Sequence, residues 1–243
     1  MKTNITILKY DNSANSYDET SDIVCGNRDS HKTYFEDILK YIKGSQNSFL
    51  DLGCGTGFYT EVLLNTFPGI KGILLDGSGK MLSIAMERFN EKSNISYVES
   101  LFEDISWKEI ANVDIVFSSL AIHHLEDSVK WELFRNIHNK LNKNGVFIYF
   151  DLFRPDDIVS GKIIEYFSCY DIKKRLESRT NKEIDINKLI ENDRRIKKEE
   201  GDKETSLTLT LKQMNLIGFQ HATVLFQDNR YAGLIAYKDK QYV

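Results

Sequence analysis

The chain has 243 residues, of which 41% are hydrophobic; that suits one domain with an elaboration, or two small ones. A formal charge of −4, from 36 acidic and 32 basic residues, excludes a global basic field of the kind that recruits nucleic acid. The three cysteines, Cys25, Cys54 and Cys169, are widely spaced with no C-x-x-C pair, so neither a disulfide framework nor a cysteine-built zinc site is expected.

The chain opens on MKTNITILKYDNSANSYDE, a polar stretch without the apolar core of a signal peptide. No segment approaches the 18 apolar residues that suggest a membrane span. A reducing cytoplasm is the expected setting, with no membrane partner. Residues 1–30 carry Tyr10 and Tyr17 but no sustained period, whereas residues 31–43 bring Phe35, Ile38, Leu39 and Ile42 to one helical face. Apolar runs at 48–52, 71–75, 95–99, 113–118 and 145–151 read as strands. Between them, 58–67, 79–90 and 128–142 read as amphipathic helices, the last spacing Val129, Leu133, Ile137 and Leu141 by fours. Such alternation predicts an α/β fold, a parallel sheet with helices on both faces. Right-handed crossovers put every strand's C-terminal end on one edge, and ligands bind outside that edge where strand order reverses.

Residues 152–204 break the rhythm. They are rich in Lys, Glu, Asp and Asn, with an amphipathic patch at 158–170, and read as a helical insertion or lid. Their basic run, Arg194, Arg195, Lys197 and Lys198, is followed at once by Glu199 and Glu200, as on a solvated helix face. In TSLTLTLKQMNLI, residues 205–217, Leu207, Leu209 and Leu211 alternate as in a strand, while Leu207, Leu211 and Met214 fit a helix. A cap at Thr205 or Ser206 and a stop at Gly218 favour the helix. Residues 219–227 and 231–238 read as strands joined by a hairpin-length link. The expected division is an N-terminal segment over 1–30, a core over 31–151 and 205–243, and the insertion over 152–204.

The most informative stretch is Asp51-Leu-Gly53-Cys54-Gly55-Thr-Gly57. A strand that turns directly into a helix presents free backbone N–H groups at the corner, and glycine lets a ligand approach that backbone closely. The dinucleotide fingerprint G-x-G-x-x-G would need glycine at Phe58, and a Walker A loop would need Lys-Ser or Lys-Thr after the glycines; neither pattern is met. Asp76 follows the second apolar run, 19 residues beyond Gly57. That is near the spacing of an acid that accepts hydrogen bonds from ribose hydroxyls.

DLGCGTG, LDGSGKML, VDIVFSSLAIHHLED and the strand after Asn144-Gly145, in that order, resemble the class I S-adenosylmethionine-dependent methyltransferases. The terminal GFQHATVLFQDNRYAGLIAYK looks like that family's last two strands. The resemblance implies a doubly wound seven-stranded, mostly parallel sheet, order 3-2-1-4-5-7-6 with the last strand antiparallel, and S-adenosyl-L-methionine as cofactor. It implies that Gly53, Gly55 and Gly57, with Cys54, form the loop beneath the methionine and ribose. It assigns Asp51 to the methionine amine, Asp76 and Gly77 to the ribose, Ser78 or Met81 to the adenine border, and the backbone of Ser118 to the methionine end. Tyr17 would lie over the cofactor, making residues 1–30 a cover. The family commonly has an adenine-binding aspartate where this chain has Leu101; leucine cannot accept a hydrogen bond, which leaves the Phe102 backbone or Glu103.

Methyl transfer from a sulfonium needs alignment more than activation, and an oxygen acceptor also wants a base. The candidates at the productive edge are His123, His124 and Asp151. Arg154, Phe153 and Tyr170 are candidates for the acceptor site, and no metal site is expected. The chain lacks the Asn/Asp-Pro-Pro-Tyr element of the family's adenine- and glutamine-methylating branches. The expected acceptor is a small molecule, taken by a monomer or homodimer. Methylation of a tRNA base or protein side chain, and a non-enzymatic binding module of the same fold, stand as alternatives.

Overall fold

A computed structural model describes residues 5–24, 28–42 and 46–239; Cys25 lies outside them. Five apolar runs form the parallel strands β1 (Ser48–Leu52), β2 (Lys71–Asp76), β3 (Ile95–Glu99), β4 (Val113–Ser119) and β5 (Leu141–Leu152). The C-terminal pair, β6 (Gln220–Asp228) and β7 (Tyr231–Tyr237), completes one sheet in the order β3-β2-β1-β4-β5-β7-β6. β7 runs against both β5 and β6. Strand order reverses between β1 and β4, which pair in parallel from Phe49↔Ile115 to Leu52↔Ser118.

Successive side chains of a strand face opposite ways, and β5 shows why the sheet must be covered twice. Val146, Ile148 and Phe150 enter one apolar cluster, while Phe147 and Tyr149 enter the other. The first cluster is roofed by α3 (Arg28–Tyr41), α4 (Phe58–Thr66) and α5 (Gly79–Arg88) through Phe35, Leu39, Val62, Leu63, Leu82 and Ala85. The second is roofed by α6 (Asp127–Lys140) and α9 (Leu207–Ile217) through Leu133, Phe134, Ile137 and Met214. The ambiguous stretch at 205–217 is thus a helix: Ser206 accepts a hydrogen bond from the Leu209 amide, and Gly218 ends it at φ +120°.

Two further pieces frame the open edge. Residues described at the N-terminus are helical, α1 (Ile5–Ser13) and α2 (Tyr17–Val24), joined by a 3₁₀ turn. After β5 comes a helical hairpin, α7 (Ile158–Thr180) and α8 (Ile186–Glu200), each capped by an aspartate, Asp157 and Asp185. α1 is tied to α8 by Lys9–Glu200, 2.5 Å, and by Thr6 Oγ1 donating to the Glu200 carbonyl, 3.1 Å. In the basic run, Arg194 pairs with Glu165 at 2.6 Å, Arg195 with Glu199 at 2.7 Å, and Lys197 with Asp193. These charges are spent largely within the hairpin. Among the described residues no helix is long and apolar enough to cross a membrane. Cys54 and Cys169 are free, buried thiols.

Candidate active site

The β1–α4 corner carries three left-handed glycines, and each has a different neighbour. An added methyl group at Gly53 (φ +72°) would overlap Ala121 Cβ, and one at Gly57 (φ +82°) would lie 2.5 Å from Phe89. At Gly55 (φ +54°) it would meet nothing within 4 Å. Gly53 and Gly57 are therefore packing glycines, and Gly55 is the one whose bare backbone faces open space. The loop is held flat against β2: the Gly53 and Cys54 amides donate to the Leu75 carbonyl, at 2.8 and 3.0 Å.

That open space is a cavity of about 200 Å³ outside the ends of β1, β2 and β4. Its walls include Tyr17, Gly53, Gly55, Asp76, Gly77, Met81, Leu101 and Phe102. A narrower extension of about 40 Å³ shares Tyr17, Gly53 and Gly55 and adds Asp51, Cys54 and Arg28. The remaining cofactor candidates line neither. Gly57 packs inward, as described. Ser78 is fully buried and caps α5, accepting from the Met81 amide at 3.2 Å and donating to Asp11 at 2.5 Å. Ser118 is fully buried and donates to the Leu52 carbonyl at 2.7 Å, clamping β4 to β1; Ser119 and Leu120 reach the cavity in its place. The strand bends there, with Leu120 at φ +53°.

Both acids of the corner have unusual surroundings. Asp76 accepts from the Gly55 and Ser78 amides, each at 2.8 Å, yet burial still raises its carboxyl above the ordinary range. Asp51 is 2% exposed and accepts from Thr60 Oγ1 at 2.5 Å. Burial first, and then the Asp76 charge, push it up to about 7, against the pull of Thr60.

The two histidines differ. His123 is sealed behind the wall. Its Nδ1 lies 2.5 Å from Asp151 Oδ1, and its backbone amide donates to Asp151 Oδ2 at 3.0 Å. Burial opposes its charge, but the Asp151 carboxylate overrides this and holds it above the ordinary histidine range. Asp151 is completely buried and also accepts from the Leu152 amide at 2.9 Å. The two side chains are thus committed to each other inside the wall, and the expectation that either faces an acceptor is corrected: neither lines the cavity. His124 does line it. Burial first, and the neighbouring His123 charge second, lower its affinity for protons. Its Nε2 is 2.9 Å from the Tyr10 hydroxyl.

The acceptor candidates also sit elsewhere. Phe153 is buried in the second apolar cluster. Arg154 is exposed and bridges to Ser206. Tyr170 stacks on Tyr166 on the outer part of α7, with Lys174 4.4 Å above its ring. None of the three lines the cavity, because the chain turns away from the edge directly after Leu152. Sequence reasoning missed Ile7, Ala121, Lys203 and Arg28. Arg28 donates to Asp18 and Ser21 and lies 3.8 Å over the Phe58 ring. No spacing links Ile7, Arg28 and Lys203 to the glycine corner; the folded N-terminus and the α8–α9 loop bring them there, whereas Ala121 follows the end of β4 directly.

Residues 49–145 match the model of the methyltransferase domain family, on a sheet of that order with the glycine corner at its switch point. Over residues 49–145 the chain carries a methyltransferase domain. A Saccharomyces cerevisiae protein named as a probable S-adenosylmethionine-dependent methyltransferase is 35% identical over 139 residues, 55% of this chain and 45% of that one. A carboxy-S-adenosyl-L-methionine synthase of Idiomarina loihiensis is 24% identical over 205 residues, covering 83% of this chain and 80% of that one. Human N-acetylserotonin methyltransferase, solved with S-adenosylmethionine, superposes with a TM-score of 0.56 at 15% identity, over 85% of this chain and 52% of that one. The chain thus spans under half the length of the first curated relative it matches and shares its fold, at low identity, with the human enzyme.

Proposed function

We propose that this chain binds S-adenosylmethionine at the glycine corner and methylates a small-molecule acceptor. The observation that carries the reading is the pairing of Gly55, whose backbone opens onto the cavity, with Asp76 on the same wall. When bound, the cofactor supplies a methyl group on a sulfonium with a neutral thioether as leaving group. Asp76 spends one lone pair of each oxygen on backbone amides, and the remaining lone pairs suit the two ribose hydroxyls. Asp51 suits the methionine ammonium and Arg28 its carboxylate, since both line the narrow extension. Met81, Leu101 and Phe102 offer an apolar seat for adenine, and Glu103, on the same wall, is the carboxylate available to its amine. Tyr17 spans both parts of the space, so the α1–α2 segment suits a cover and the α7–α8 hairpin a lid.

The residues that move a proton follow from the two histidine environments. His123 is committed to Asp151. His124, on the wall with its Nε2 on the Tyr10 hydroxyl, is the group that would take the proton of an O–H acceptor when no ion holds its Nδ1. Alignment within the closed edge contributes about 7–11 kcal/mol at most to such a displacement. Relatives include malonyl-acyl carrier protein O-methyltransferases, named for a short acyl acceptor on a carrier. A cytoplasmic setting suits the free thiols Cys54 and Cys169.

Isothermal titration with S-adenosylmethionine tests the reading. The unmodified chain should bind one equivalent, and Asp76→Ala should weaken binding by roughly 10–100-fold, the worth of charged hydrogen bonds of about 1.5–3 kcal/mol. Equal affinity in both proteins would refute the ribose role of Asp76. Release of the demethylated cofactor across a panel of acceptors then identifies the substrate.

A further inference from the structure

We propose that His123, His124 and Asp202 bind a divalent transition-metal ion, zinc or a first-row neighbour, in the wall of the cavity. Three atoms converge there. Asp202 Oδ1 lies 3.7 Å from His123 Nε2 and 3.2 Å from His124 Nδ1, and all three atoms fall within 4.8 Å of one another. A tetrahedral centre with bonds of about 2.0–2.2 Å separates its ligand atoms by about 3.3–3.6 Å. Two imidazoles and a carboxylate suit zinc, iron, manganese or cobalt.

The protein alone does not satisfy these atoms. The His123–Asp202 separation is too long for a hydrogen bond. The His124–Asp202 approach is at ion-pair distance but not aligned as a hydrogen bond, so His124 Nδ1 and Asp202 Oδ1 are both buried without a hydrogen-bond partner. Asp202 is only 6% exposed. A buried polar atom left in this state is uncommon and costly. One cation between the three would satisfy all of them, which a single bridging proton cannot do.

The far nitrogens strengthen the case. His123 Nδ1 is engaged by Asp151 at 2.5 Å, and His124 Nε2 by the Tyr10 hydroxyl at 2.9 Å. Each ring is thus oriented by an outer partner with its other nitrogen turned to the cluster, as metal-ligating histidines are held. Asp202 is pinned from a distant part of the chain. Its amide donates to the Lys197 carbonyl at 3.0 Å, the Lys203 amide donates to the His123 carbonyl at 2.8 Å, and Lys130 donates to the Lys203 carbonyl and, at 2.6 Å, to Thr205. The site is therefore assembled before any ion arrives. His124 and Lys203 reach the cavity, so a bound ion would stand where it can polarise an acceptor oxygen.

The test is direct metal binding to the tag-free full chain after chelator dialysis, so it is independent of methyl transfer. Titration with Zn²⁺ should show one saturable site per chain, and Co²⁺ should give a visible absorption band lost on adding Zn²⁺. Asp202→Asn should weaken Zn²⁺ binding by at least roughly 100-fold, while His221→Asn, outside the cluster, should leave it unchanged. If Asp202→Asn does not fold, His124→Gln should show the same loss. No saturable binding of either ion to the unmodified chain, or undiminished affinity in the ligand variants, would overturn the proposal.

Discussion

A methyl group added at Gly55 would enter open cavity, whereas one at Gly53 would overlap Ala121. Gly55→Ala should therefore fold, at a cost of about 1–2 kcal/mol for a left-handed alanine, while its S-adenosylmethionine affinity falls at least roughly tenfold, or 1.4 kcal/mol. Thermal denaturation and titration on the same sample separate the two effects; an unchanged affinity would remove Gly55 from the binding surface. Asp51 makes a pH prediction. Its folded carboxyl is pushed up to about 7 from an ordinary 3.8, so the folded state holds a proton that the unfolded state releases. Its contribution to stability is present in full below about pH 4 and is lost as pH rises through 7. A bound ammonium reverses the preference, since it favours the ionised acid. Cofactor affinity should rise between pH 6 and 8 with proton release, and Asp51→Asn should flatten that rise; calorimetry in buffers of different ionisation enthalpy reads the proton directly.

Each element was legible to the degree that its own side chains specify it. The strands were, because each is a short apolar run covered on both faces, and β1, β2 and β4 carry the glycine and acid positions at their ends. α9 was legible through its ends: Ser206→Ala should remove the Leu209 hydrogen bond and cost about 1 kcal/mol, a fall of about 2–4 °C in Tm. An unchanged Tm would mean the cap contributes nothing. α1 was not legible. Its sequence ITILKYDNS keeps no helical period, and its place is set by docking: Ile7 seats against Gly77, and Asp11 accepts from Ser78. The outward turn after Leu152 was equally invisible, which is why Arg154, Phe153 and Tyr170 were assigned to an edge they do not reach. The end of β4 was placed one residue early: the Ser118 backbone was expected at the ligand, whereas Ser119 and Leu120 line the cavity and the Ser118 hydroxyl clamps Leu52.

At the scale of the whole molecule, the sheet order puts the β1–β4 switch point, the glycine corner and the second-strand acid at one edge. The N-terminal helices and the loop after α8 then close that edge with Tyr10, Tyr17 and Lys203. Distant segments of the chain thus meet at that edge, and the histidine cluster with Asp202 is the clearest case: its members are about eighty residues apart in sequence, and no local pattern joins them. On this reading an adenosyl sulfonium occupies that edge. A crystal structure of the chain with S-adenosylhomocysteine tests it most directly. The ribose hydroxyls should lie on Asp76, with the nucleoside passing over Gly55 and the methionine end beside Asp51. Density for the nucleoside elsewhere, with Asp76 keeping only its Gly55 and Ser78 amides, would contradict it.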